Sequence, residues 1–224
     1  MKQIKKLLAL LMALLMVLTL MACGSEPEKV IDEPQPEVQP EADETPENGT
    51  VAGSTYTNEA LGFCFTVGED WVFLNDEEIG ELTGVTQDTS DNDATQAALD
   101  GGAALYDVYA VTNDGTGRRI NITVANSDEV FGKLTTEDAY AAAVAEQLLP
   151  SLEGVDAKDV EVETITYTLA GTEHSGIRIN GSIDGVEFYQ NVICIMTDTL
   201  VYNVTCTAQS EDELTAVMDL FEAL

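Results

Sequence analysis

The chain is 224 residues long, 45% of them hydrophobic, and carries a formal charge of -32 from 41 acidic and 9 basic side chains. That hydrophobic fraction suffices to bury a core in one ordinary domain, which excludes a wholly disordered protein. The negative field repels phosphate backbones, so nucleic acid is excluded as a partner, and it keeps the chain soluble and favours a monomer.

Lys2, Lys5 and Lys6 form a positive leader, and Leu7 to Leu20 is an apolar run broken only by Thr19. The run has the length of a signal core and is short of the roughly 20 residues that span a bilayer. Leu20-Met21-Ala22-Cys23 follows. It resembles the lipobox of bacterial lipoproteins, in which a small residue (here Ala22) marks the cleavage position and a cysteine thiol (here Cys23) takes a diacylglyceryl thioether. The resemblance implies a signal peptide over 1–22, cleavage between Ala22 and Cys23, and a mature chain of charge about -35 held on the outer face of the cell membrane, in the cell envelope. Two acyl chains at about 0.8 kcal/mol per buried methylene give on the order of 20 kcal/mol, a permanent anchor.

Residues 24 to 55 contain five of the six prolines, nine acidic residues and no aromatic one. Such a composition builds no core. With Cys23 it reads as a lipid-anchored, acidic tether over 23–55, extended by proline and charge repulsion.

From Tyr56 the pattern changes, and 56–224 reads as one domain. Phe63, Phe65 and Val67 alternate, Gly68-Glu69-Asp70 turns, and Trp71 to Leu74 returns, which predicts an opening hairpin. Asn75 with Glu78 predicts a capped short helix that buries Ile79 and Leu82. Residues 86 to 102 read as an acidic loop with at most a short helix near Thr95 to Leu99. Leu105 to Thr112 and Arg119 to Ala125 are strands joined through Asn113-Asp114-Gly115, with Ile120, Ile122 and Val124 on one face. Thr135 to Leu149 is a helix with a capping box of Thr135 and Asp138, stopped by Pro150. Four strands follow at about 160–170, 174–183, 186–196 and 200–208, turning at Ala170-Gly171, Asp184-Gly185 and Asp198-Thr199. Val160 and Val162 are out of phase with Ile165, Tyr167 and Leu169, which predicts a bulge between them. Val192 to Met196 is apolar on both faces and should be central. Ser210 and Glu213 cap a last helix carrying Leu214, Val217, Met218, Phe221 and Leu224.

The order predicts an α+β fold: an antiparallel sheet of six to eight strands covered by about three helices. Tyr56-Thr57-Asn58, Leu61-Gly62-Phe63 through Trp71, and Gly185-Val186-Glu187-Phe188-Tyr189-Gln190 before a closing hairpin and helix resemble the PsbP/Mog1-like domains found in many small lipoproteins. The resemblance implies a binding or scaffolding domain and transfers no active site.

No motif for nucleophilic, zinc or nucleotide chemistry stands in suitable context, so no catalytic residue, cofactor or metal ligand is assigned. His174 is the one histidine and reads as half-exposed at a strand start, beside Arg178 in parity. Asp88, Asp91, Asp93 and Asp100 are dense enough to suggest calcium, but Gln96 stands where a calcium loop needs glycine. A solvated loop is the better reading. Excluding Cys23, the thiols are Cys64, Cys194 and Cys206; a tight turn at Asp198-Thr199 sets Cys194 opposite Asn203, whereas one residue more or less would bring it towards Cys206, so a disulfide stays open. The expected function is a membrane-anchored, non-enzymatic binding or scaffolding module without a nucleic-acid partner. An envelope enzyme and a calcium-responsive module are the alternatives.

Overall fold

The computed structural model describes residues 48–127, 134, 136–151, 157–197 and 199–224. The expected signal peptide, Ala22, Cys23 and all of the expected tether up to residue 47 lie outside these residues, as do Thr135 and Asp198.

Among the described residues, eleven strands and four helices make an α+β fold of two antiparallel sheets. The small sheet contains β1 (Thr50–Ala52), β2 (Thr55–Asn58), β3 (Phe63–Thr66) and β11 (Phe221–Ala223), in the order β1-β2-β3-β11. The large sheet contains β4 (Trp71–Phe73), β5 (Ala104–Thr112), β6 (Arg119–Asn126), β7 (Ala157–Leu169), β8 (Thr172–Ile183), β9 (Val186–Met196) and β10 (Leu200–Ala208), in the order β4-β5-β6-β10-β9-β8-β7. The helices are α1 (Asp76–Thr83), α2 (Asn92–Asp100), α3 (Glu137–Ser151) and α4 (Glu211–Met218).

The main core lies between the two sheets. Phe63, Phe65 and Phe221 of the small sheet meet Ile120, Ile122, Val204 and Ile193 of the large one, with Leu99 of α2 and Leu214 and Val217 of α4 closing the sides. A second core lies on the opposite face of the large sheet, where Tyr140, Val144 and Leu148 of α3 pack on Ile177, Ile179 and Val192. A third, smaller cluster sets Ile79 of α1 against Tyr106 and Tyr109. The central strands are therefore covered on both faces, β9 among them: Ile193 and Ile195 face the first core, Val192 and Cys194 the second.

Several elements differ from their sequence reading. Strand pairing begins before residue 56, because β1 pairs Val51 with Tyr56. The expected hairpin of 63–67 with 71–74 does not form: β3 pairs with β2 and β11, whereas β4 pairs with β5. The turn closed by Trp71 N–H on the Gly68 carbonyl carries the chain from one sheet to the other, so both segments keep an apolar face on the same core. The acidic loop contains a nine-residue helix, α2, N-capped by Asp91 and anchored by buried Leu99. Around α3 the first-turn donor goes to Thr136, which accepts from Ala139 N–H at 3.2 Å, and Pro150 lies inside the last turn.

The bulge in β7 lies between Lys158 and Glu161, with Asp159 at φ 53°, and not between Val162 and Ile165. The phase change has another cause. Val160 and Val162 face the core under α3, whereas Tyr167 and Leu169 face the core between the sheets. Lastly, the helix capped by Ser210 ends at Met218, and Phe221 lies on β11 opposite Phe65, leaving Leu224 61% exposed.

Candidate functional site

On the face of the large sheet that carries α1 and α3, strand register assembles two rows of side chains. Asn121 of β6 is opposed by Tyr109 of β5 and Thr205 of β10, and Thr205 in turn by Val192 of β9. One pleat along, Arg119 is opposed by Val111 and Thr207, and Thr207 by Gln190. Directly opposed residues stand about 5 Å apart and alternate residues about 7 Å, so Arg119, Asn121, Thr205 and Thr207 mark the corners of a compact quadrilateral.

This band is polar and buried. Tyr109, Arg119, Asn121, Gln190, Thr205 and Thr207 are each 2% exposed or less. The Tyr109 hydroxyl, all three guanidinium nitrogens of Arg119, both amide atoms of Asn121, Oε1 of Gln190 and both threonine hydroxyls have no hydrogen-bond partner within the described protein. Buried polar groups are ordinarily satisfied, and an uncompensated buried cation costs several kcal/mol. The band is bounded on one side by α1 through Ile79, Tyr106 and Tyr109, and on the other by α3, whose Tyr140 hydroxyl accepts from Asn203 Nδ2 at 3.2 Å. Burial pushes the Tyr106 phenol up, Tyr109 beside it adds to the rise, and the Arg119 charge opposes it. The guanidinium therefore acts electrostatically within this band.

The other described arginines have acidic partners. Arg118 bonds Asp70 at 2.7 Å and Asp114 at 2.9 Å and lies 5.8 Å from the Trp71 ring centre; Arg178 reaches Glu163 at 3.4 Å. In a chain with 41 acids and 9 bases, a guanidinium without a carboxylate is the exception.

Two further clusters are structural. Asp107 sits at the β5 irregularity between Tyr106 and Val108, which turns it away from the tyrosine face. It accepts from the Tyr56 hydroxyl, from Asn58 Nδ2 at 3.1 Å and from Gly49 N–H at 2.9 Å. Burial raises its pKa, and those three donors hold the rise in check. At the other end of the sheet, Glu137 in the first turn of α3 accepts from His174 Nδ1 at 3.0 Å, Ser175 N–H at 3.1 Å and Met196 N–H at 3.3 Å, while the Ser175 hydroxyl bonds Asp138. Glu137 thus pins α3 to β8 and β9.

A PsbP protein is among the solved structures similar to this chain. The solution structure of cyanobacterial PsbP (CyanoP) from Synechocystis sp. is 12% identical, with a TM-score of 0.44 over 79% of this chain and 98% of that one. The crystal structure of LpqN, involved in cell envelope biogenesis of Mycobacterium tuberculosis, is 14% identical, with a TM-score of 0.34 over 70% and 76%. No known family profile matches the sequence, and no curated protein does. The PsbP neighbour belongs to the fold group that the sequence resemblance named, and no residue role or activity is carried across from either structure.

The acidic loop uses its carboxylates locally. Asp91 accepts from Asp93 and Ala94 N–H, Asp88 from Ser90, and Asp100 from Gln96. No group of three acids, histidines or cysteines suited to a metal occurs among the described residues. Cys64, Cys194 and Cys206 are free thiols. Asn203 does stand opposite Cys194, and Cys206 faces the other core, so the two cannot bond.

The sequence reading passed over the Arg119 band. Arg119, Asn121 and Thr123 alternate with three apolar residues and read as the solvent face of a half-buried strand. The available signal was the same polar parity recurring in Asn203, Thr205 and Thr207, on a strand that pairs with β6.

Proposed function

We propose that this chain is an extracytoplasmic, lipid-anchored binding module that takes a small polar ligand on the α1/α3 face of its large sheet. The observation that carries this reading is the concentration of nine hydrogen-bonding atoms, without partners among the described residues, on six side chains buried together on one sheet face. A folding core gains nothing from such atoms, whereas a ligand that completes them converts their desolvation cost into affinity. The location rests on Lys2, Lys5, Lys6, the apolar run and Ala22-Cys23. No helix among the described residues is long and apolar enough to cross a membrane. The charge of the chain keeps the module monomeric.

Two measurements test the reading. Membrane fractionation should find the wild-type chain with the membranes and a Cys23→Ala chain released from them; equal partitioning rejects the anchor. Native mass spectrometry of gently purified protein should show a non-covalent adduct that Asn121→Leu loses. A bare protein mass in the wild type, or an adduct unchanged in the variant, rejects the binding site.

A further inference from the structure

From the chemistry of the same band we infer that the ligand is a small monocarboxylate bearing at least one further hydrogen-bonding group; the inference rests on the binding reading above. Arg119 is the single cation of the band and is fully buried, with Nε, Nη1 and Nη2 all without a partner among the described residues. A guanidinium presents its donors as a planar fork that matches the two oxygens of a carboxylate. None of the chain's many acids supplies that match within the described protein, although Arg118 and Arg178 both have one.

The remaining members of the band are neutral. Thr207 stands directly opposite Arg119, Thr205 opposite Asn121, and Gln190 opposite Thr207. They offer hydroxyl donors and acceptors, an amide donor and amide oxygens, suited to a hydroxyl or amide carried beside the carboxylate. One buried positive charge balances one negative charge. A phosphate dianion would leave a net negative charge in the band, inside a protein whose own charge is -32. The opposed residues of the next strand along these rows, Ile177 and Ile179, are apolar, which limits the polar part of the ligand to the width of β5, β6, β10 and β9. A free organic acid and the carboxyl terminus of a short peptide both carry this chemistry.

Thermal melting of the full chain in detergent micelles, at ionic strength matched with sodium chloride, tests the inference with acetate, lactate, neutral lactamide, inorganic phosphate, and the pair dialanine and dialanine amide. Acetate and lactate should raise the melting temperature, lactate at the lower concentration, while lactamide and dialanine amide leave it unchanged and phosphate acts more weakly than lactate. A stronger shift with dialanine than with lactate assigns the peptide terminus as the source, and the reverse assigns a free acid. Arg119→Met should abolish the carboxylate shifts and Arg119→Lys should weaken them about tenfold, because the fork is lost and the charge kept. Should Arg119→Met not fold, Thr207→Val serves: it should remove the preference for lactate over acetate. Lactamide matching lactate, carboxylate shifts surviving in Arg119→Met, or no shift from any probe at about 50 mM would each overturn the carboxylate assignment. If the native adduct persists in that last case, only the ligand class fails; if it is also absent, the binding reading fails with it.

Discussion

Tyr56 and Asp107 join the first strands of the small sheet to β5, and their hydrogen bond is the place where a single atom can be weighed. Tyr56→Phe removes a donor to a buried carboxylate and leaves the packing against Phe65 in place. The expected cost is about 1.5 to 3 kcal/mol at neutral pH, the range for hydrogen bonds to charged groups. The Asp107 pKa is raised in the folded protein, so wild-type stability from this group falls as pH rises from the ordinary carboxylate value through the folded one. The phenol favours the ionised form, and its loss raises that folded pKa further. The Tyr56→Phe deficit should therefore be full at pH 7 and shrink as pH falls through the folded values, which urea unfolding of both proteins at pH 7 and pH 4 measures. The thiols give a second residue-scale test. Burial pushes Cys194 up to about 12, with Glu137 adding, and burial alone pushes Cys206 up as well. Iodoacetamide should label Cys64, which is partly exposed, and spare Cys194 and Cys206 until the protein unfolds.

At the scale of elements, the carboxyl-terminal segment separates a helix from a strand. Phe221, Leu224, Leu214 and Val217 have helical spacing, yet the cap at Asp219 ends the helix and Phe221 to Ala223 completes the small sheet against β3. Phe221 then stacks near Phe63 and Phe65, with ring centres 5.5 and 5.1 Å away. Phe221→Ala should cost about 3 to 5 kcal/mol, seen as a clear loss in the urea midpoint, whereas Leu224→Ala should stay within about 0.5 kcal/mol. A continuous helix would make the two losses comparable. The same competition explains β7: one strand serves two cores on opposite faces, and its change of phase mimics the signature of a bulge. Local pattern reports which residues want cover, and the partner that provides it lies elsewhere in the chain.

For the whole molecule, a charge of -32 opposes compaction at every point of the surface. Raising sodium chloride from about 10 mM to 500 mM shortens the screening length from about 30 Å to a few ångströms, and calorimetry should find the melting temperature higher by about 3 °C or more. An unchanged or lower melting temperature would mean that ion pairs such as Arg118 with Asp70 outweigh the repulsion. Much of the architecture was legible before any coordinates. The alternation of Ile120, Ile122 and Val124, the turn pairs Ala170-Gly171 and Asp184-Gly185, all four at positive φ, and the caps at Asn75 and Ser210 are local devices, and each specified its own strand, turn or helix. What tertiary structure alone decided was which apolar faces meet and which polar ones are covered. The split of β3 and β4 between two sheets and the change of Phe221 from helix to strand follow from burial shared between distant segments. The same holds for the enclosure of Arg119 with five neutral neighbours: strand order placed β6 beside β10, and alternation along one strand cannot tell a covered polar face from a wet one.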